Sequence, residues 1–319
     1  MCEEHSPFSE FIPQKLQGKH RRMPPDWLPR IFEQAKALGI REIIPSTMGE
    51  PLMYRYFDEI IALCRQYGFW LNLTTNGTFP KLQGRTASEW AELLVPITSD
   101  VKISWNGATK ETAERIMRKI NFEEAVENVR AFAAVRDAHR AQTGHHCRLT
   151  FQLTFMQNNM HELAEIIRLA ASLGVDRVKG HQLWAHFEQI KNLSFRQNAQ
   201  SIAQWNRYVE EAYAAQERFR LPSGQKVILE NIVPLQAQED KIVPADYECP
   251  FLQRELWISA TGKISPCCAP DEQRDSLGDF GNIQTHSLSE AIASEAYQHL
   301  VQNYKQHPLC QQCNMRKKA

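Results

Sequence analysis

Apolar residues recur at helical spacing near the front of the chain. Trp27, Leu28, Ile31, Phe32, Ala35 and Leu38 follow Asp26, a candidate N-cap, and the pattern stops at Gly39. Residues 41–45 then read as a short buried strand. The alternation repeats. Helical spacing covers 56–67 and ends at Gly68, and 69–74 is extended. A helix over 87–94 precedes a strand at 100–104, and a helix over 122–138 precedes 148–155, rich in β-branched and aromatic residues. Helix 161–173 stops at Gly174 before a strand at 176–180. Five strands thus follow residue 40 with helices between them, the signature of a parallel α/β sheet, open or curled into a barrel.

From residue 188 the pattern loosens. A helix carrying Trp205, Val209 and Tyr213 leads to a turn at 221–224, a strand at 226–229 and a linker over 234–246. Beyond it, strands at 255–259 and 263–266 flank a hairpin turn at 260–262, and a last helix covers 288–304. The expected organisation is a barrel-like domain over 1–187, connecting helices and linker over 188–246, and a small extension over 247–319.

Composition narrows the class. A 43% hydrophobic share over 319 residues supports a proper core, and no apolar run is long enough to span a bilayer. The opening residues lack the basic, apolar and small-residue succession of a secretory signal, so a cytoplasmic location is expected. Thirty-seven basic residues balance thirty-seven acidic ones, which argues against a dedicated nucleic-acid binder. The clusters at 19–22 and at Arg316, Lys317 and Lys318 read as solvated surface charge.

The cysteines change the picture most. Eight of them without a secretion signal read as reduced thiols. Cys310 and Cys313 form a Cys-x-x-Cys pair, Cys267 closes the run that starts at Gly262, and Cys249 lies one hairpin's length upstream. A thiolate quartet of this kind implies a metal centre, either an iron–sulfur cluster or a zinc ion held by four thiolates, which spacing alone does not separate. Cys268 adjoins Cys267, and one of two neighbours can point into a given cluster. Cys64 falls on a helix and Cys147 opens a strand, so neither is placed to act as a ligand.

Taken together, Cys2, Gly49-Glu50-Pro51, Thr75-Asn76-Gly77, the run from Ile103 to Gly107 and the terminal quartet resemble the radical S-adenosylmethionine superfamily with a C-terminal SPASM or twitch extension. The resemblance covers nearly the whole chain. It implies a partial parallel (β/α)6 TIM-like barrel, here without its first strand, followed by a small α+β cysteine-ligated extension. In that family three cysteines hold a [4Fe–4S] cluster, whose open iron takes S-adenosylmethionine. The 5′-deoxyadenosyl radical released from it abstracts a substrate hydrogen. Of those three cysteines this sequence holds the third, Cys2, so the chain reads as cut short at its front, with Met1 an internal methionine.

The resemblance also assigns roles. Gly49, Glu50 and Pro51 form the turn whose carbonyls face the amino group of S-adenosylmethionine, with Met48 standing where a first glycine is usual. Thr75 and Asn76 border the site, and Ser104 reaches the cofactor's ribose or carboxylate. Cys249, Cys267, Cys310 and Cys313 hold one auxiliary [4Fe–4S] cluster, which accepts an electron, binds substrate or staples the extension. Arg118, His181 and His186 are candidate substrate contacts, while Trp105 and Trp184 read as packing. A flavodoxin or ferredoxin would supply electrons to an enzyme acting on a small molecule or peptide. No peptide-recognition domain is evident, which tilts the expectation away from ribosomal-peptide maturation. The alternative is a non-catalytic iron–sulfur or zinc protein using the barrel as a scaffold.

Overall fold

The computed structural model describes residues 22–45, 49–81, 84–185, 187–236, 243–269, 271–313 and 315–318. They fall into two compact units: one runs from Arg41 into the 230s, and the other combines the segment up to Ile40 with the C-terminal part from 243 onward.

The first unit is built on one six-stranded parallel sheet. Its strands are β1 (Glu42–Ile43), β2 (Trp70–Thr75), β3 (Thr98–Ser104), β4 (Arg148–Phe155), β5 (Arg177–Gln182) and β6 (Ile228–Glu230), each paired with the next in sequence. Helices Phe57–Tyr67, Ala87–Leu94, Phe122–Thr143, Leu163–Ser172 and Ala199–Arg218 occupy the crossovers. This is the expected α/β architecture, a partial TIM-like barrel. The segment at 226–229, read as part of a loosened region, supplies the sixth strand of the same sheet.

Strand alternation sorts the sheet into two unlike faces. Leu71, Leu73, Val101, Ile103, Leu149, Phe151, Leu153, Phe155 and Val178 are fully buried on one side. Phe155 meets Trp205 of the last crossover helix at 4.7 Å between ring centroids. On this side Gly180 is required: a Cβ there would stand 2.6 Å from both the Leu153 carbonyl oxygen and the Phe155 ring. The intervening positions form a polar inner face. Arg177 donates to Asp100, to Thr150 Oγ1 at 3.1 Å and to Glu230 at 2.7 Å, so a single guanidinium ties β3, β4 and β6 to β5.

At the strands' N-terminal ends a second buried arginine closes the structure. Arg136, 2% exposed, donates to Asp176 at 2.7 Å and to the carbonyls of Gly174 (2.7 Å) and Cys147 (3.4 Å). Asp176 also accepts from the Leu149 N–H at 2.7 Å and lies 3.1 Å from His146 Nε2. Burial alone would raise the Asp176 pKa. The His146 hydrogen bond, the Arg136 charge and the Leu149 amide outweigh it and hold the carboxyl below its usual range.

Four local expectations differ from the structure. Asp26 does not cap the first helix; it lies inside a 3-10 turn, Pro25–Trp27, that runs directly into helix Leu28–Ala37. A short helix, Lys110–Ile116, was not anticipated; the Thr109 side chain caps it by accepting from the Thr112 N–H. The last helix is two, Leu288–Ala293 and Glu295–Asn303, broken at Ser294, whose extended backbone lets its hydroxyl cap the second by accepting from the Tyr297 N–H. Arg316, read as solvated tail charge, is 5% exposed.

In the second unit helix Leu28–Ala37 packs into the C-terminal segment. Ile31 joins Ile264, Ile283, Leu288 and Ala291 in one cluster, flanked by Trp27 and Leu38. Gln34 Oε1 accepts from the Leu288 N–H at 2.7 Å, capping the helix that starts there. The strands here are short antiparallel pairs, β7 (Tyr247–Glu248) with β10 (Lys317–Lys318), and β8 (Trp257–Ile258) with β9 (Ile264–Ser265). Among the described residues no helix is long and apolar enough to cross a membrane.

Replacing Arg136 with Met should destabilise the first unit by about 3–5 kcal/mol, because it strands a buried carboxylate. Denaturant unfolding measures this. Since Asp176 is held below its unfolded pKa, its contribution is complete at neutral pH and is lost as the pH falls through the folded value. The gap between wild type and variant should therefore be widest near neutrality and narrow on acidification.

Candidate functional site

The C-terminal ends of the strands gather the expected polar residues. After β1, Glu50 caps a 3-10 turn, Pro51–Met53, whose Pro51 and Leu52 are buried. Its carboxylate accepts from the Leu52 N–H at 3.2 Å, from Thr75 Oγ1 at 2.8 Å and from the Asn76 N–H at 2.6 Å. Glu50 therefore fastens the turn bearing Gly49 and Pro51 to the end of β2. Burial raises its pKa despite the hydrogen bonds from Asn76, Thr75 and Leu52. Thr75 is 1% exposed, and Asn76 turns its side chain onto the next residues, accepting from the N–H and hydroxyl of Thr78 at 2.9 and 2.6 Å. Gly77 adopts φ +78°, and a Cβ there would stand 2.8 Å from Ile103 Cγ2.

Ser104 ends β3 beside Gln152 of β4, half-buried, and its hydroxyl has no hydrogen-bond partner among the described residues. The loop beyond it is firmly held. Asn106 Oδ1 accepts from the Thr154 N–H at 2.9 Å, and Asn159 Nδ2 donates to the Asn106 and Thr154 carbonyls at 3.2 and 3.1 Å. Glu162 accepts from the Ala108 and Thr109 amides and from both the Thr109 and Thr112 hydroxyls. Trp105 is packing: it stacks on Phe151 with centroids 4.4 Å apart.

His181 stands on the inner face of β5, opposite Thr154 of β4, with its pKa lowered by burial and then by the Lys179 charge. Arg118 is exposed in the turn between helices Lys110–Ile116 and Phe122–Thr143, and no hydrogen bond or ion pair joins it to the Glu50 group. Cys2 and His186 lie outside the described residues. Cys64 and Cys147 are fully buried, with burial pushing each thiol up to about 12, which makes them poor ligands.

The second cluster of chemistry lies within the C-terminal unit. Cys249 follows β7, Cys267 follows β9, Cys310 sits on the one-turn helix Pro308–Gln311, and Cys313 comes just after it. Cys249 Sγ accepts from the Leu252 N–H and Cys267 Sγ from the Ala269 N–H, both at 3.4 Å. The Cys267 thiol is held low by a hydrogen bond from Cys268, with the Ala269 amide and the Arg274 charge opposing burial, and Cys268 is driven up in turn. Burial pushes Cys310 up to about 12, and the charges of Cys267, Cys313 and Cys249 add to it. Burial likewise raises Cys313, with Cys267 and Cys249 contributing. The four thiols thus lie within electrostatic reach of one another.

Among the described residues no three histidine, cysteine or carboxylate side chains are drawn together as a ready site for one metal ion. The Leu252 and Ala269 N–H groups aimed at two of the four sulfurs favour thiolate over thiol, the form that a bound metal centre requires.

Arg316 is the residue that sequence reasoning missed. It donates to the carbonyls of Pro244 (3.0 Å), Tyr247 (3.0 Å from Nε) and Cys310 (3.2 Å), and so fixes the approach to Cys249 against the helix that carries Cys310. Nothing in its sequence neighbourhood of Lys317 and Lys318 marks it as buried.

Comparison with known proteins agrees with this arrangement. Residues 2–170 match the profile of the Radical SAM superfamily, and residues 249–314 match that of SPASM, an iron-sulfur cluster-binding domain. A PqqA peptide cyclase of Methylocella silvestris is 25% identical over 274 residues, covering 85% of this chain and 66% of that protein. Streptococcus suis SuiB bound to the precursor peptide SuiA superposes with a TM-score of 0.62 at 17% identity, over 89% of this chain and 61% of SuiB. The same protein bound to S-adenosylmethionine gives 0.59 at 17% identity, over 89% and 62%. The chain thus spans about two thirds or less of the length of these proteins.

Replacing Glu50 with Ala removes the acceptor shared by Leu52, Thr75 and Asn76. The expected cost is about 1–3 kcal/mol, with faster hydrogen exchange at the Asn76 amide. Glu50→Gln, which keeps one acceptor oxygen, should fall between. Unchanged exchange in Glu50→Ala would mean that the carboxylate does not hold the turn.

Proposed function

The chain belongs to the radical S-adenosylmethionine superfamily, and from that premise we propose that it is an enzyme which abstracts a hydrogen atom from a peptide substrate. Membership implies a [4Fe–4S] cluster and S-adenosylmethionine as cofactors. When bound and reduced, they supply a 5′-deoxyadenosyl radical. The supporting observation is the Glu50 clamp, which sets the Gly49–Pro51 turn against Thr75 and Asn76 at the strand ends, where sites of this architecture are built.

In this reading the backbone of the Gly49 turn receives the amino group of S-adenosylmethionine. Thr75 and Asn76 line its flank, and the unengaged Ser104 hydroxyl is available to its ribose or carboxylate. The packed loops after β3 and β4 keep this mouth in one shape, so that binding energy is not spent on ordering it. Of the three thiols the family uses for its first cluster, this sequence holds Cys2, and Cys64 and Cys147 are too deeply buried to complete the set.

Cys249, Cys267, Cys310 and Cys313 would hold one auxiliary [4Fe–4S] cluster, with the Leu252 and Ala269 amides and Arg316 keeping the ligands in place. A peptide substrate is favoured, against the tilt of the sequence alone, because the similar proteins include PqqA peptide cyclases and SuiB bound to the precursor peptide SuiA.

The test is direct. Protein from the full reading frame, reconstituted anaerobically and given reductant and S-adenosylmethionine, should release 5′-deoxyadenosine. A Cys267→Ala, Cys310→Ala double variant should lose about four irons per chain. Stoichiometric zinc in place of iron would overturn the auxiliary cluster. Absence of 5′-deoxyadenosine from protein carrying its clusters would overturn the enzyme assignment.

A further inference from the structure

Among the described residues of the C-terminal unit, Arg316 is the basic side chain that is buried, at 5% exposure. Every acceptor of its guanidinium is a backbone carbonyl: Pro244 at 3.0 Å, Tyr247 at 3.0 Å from Nε, and Cys310 at 3.2 Å. No carboxylate pairs with it among the described residues. Glu248, whose charge reaches it, is already engaged by the Tyr304 hydroxyl and the Lys305 ammonium.

The same residue touches the segments that bear three of the four thiols. The Cys310 carbonyl accepts from its guanidinium, and the Cys313 carbonyl accepts from its backbone N–H at 3.3 Å. Its guanidinium also lies 5.9 Å from the centre of the Tyr304 ring, whose hydroxyl oxygen accepts from the Cys249 N–H at 3.4 Å. Bridging carbonyls needs N–H donors but no charge, and a guanidinium buried without an anion is costly. A [4Fe–4S] core held by four thiolates is anionic when oxidised and more so when reduced, so it supplies the missing partner. A nearby fixed cation then favours the reduced form.

We propose that Arg316 is the counter-charge of the auxiliary cluster and raises its reduction potential, in addition to holding the Cys249 and Cys310 segments together. The proposal rests on the auxiliary-cluster reading above. It makes Arg316 a positioning residue with an electrostatic role, which a simple staple would not have.

The test is a potentiometric titration of the reconstituted protein from the full reading frame, followed by electron paramagnetic resonance. Signal absent from the Cys267→Ala, Cys310→Ala double variant belongs to the auxiliary cluster. In Arg316→Gln, which keeps N–H donors and loses the charge, the ratio of reduced to oxidised auxiliary cluster at a fixed potential should fall on the order of tenfold, a drop of about 59 mV for one electron. Arg316→Lys, which keeps the charge and loses the fork, should stay close to wild type. An unchanged potential in Arg316→Gln, or an equal drop in Arg316→Lys, would overturn the proposal. Should Arg316→Gln fail to hold the cluster, retention of its iron by Arg316→Lys supports the charge, whereas loss from both variants reduces Arg316 to a staple. Wild-type protein with no signal beyond that of the double variant would sink the auxiliary cluster itself.

Discussion

Arg177 sets the terms for the whole inner face of the sheet. A parallel sheet with helices on one side buries that side in apolar contacts, and the opposite side of a partial barrel must then satisfy its own polar groups. Here one guanidinium does most of this work, bonding Asp100, Thr150 and Glu230 across four strands. Lys179 shares Glu230 with Arg177, so the carboxylate on β6 is held to β5 a second time, at 3.3 Å.

Much of the architecture was legible because the apolar positions repeat at two distinct periods. Helices Phe57–Tyr67 and Ala87–Leu94 and strand Arg148–Phe155 fall where the spacing places them. The misses have local causes. Lys110–Ile116 is too short to establish a period, and Ser294 breaks a continuous apolar pattern with a backbone geometry that composition does not reveal. The polar residues of the inner face were in principle visible: Asp100, Lys102 and Ser104 alternate with the buried Val101 and Ile103, which marks a polar face opposite the core. Arg316 was not visible, because its burial depends on carbonyls some seventy residues away in sequence.

Spacing singled out the four cysteines but left the kind of centre open. The structure adds amide hydrogens directed at two of the sulfurs, and thiols near enough to sense one another's charge. Hydrogen bonds of this kind favour the thiolate over the thiol and tune the electronic character of a bound cluster. The profile match over residues 249–314 agrees with that donor set.

Helix Leu28–Ala37 raises a question of timing. Its apolar stripe is completed by Ile264, Ile283, Leu288 and Ala291, which the ribosome makes more than two hundred residues later. At ordinary elongation rates that interval is roughly 10–50 s. Throughout it Ile31 and its neighbours have no native partner, while the intervening sheet can assemble. The nascent chain is therefore exposed to non-native association at its front for as long as its back is unfinished.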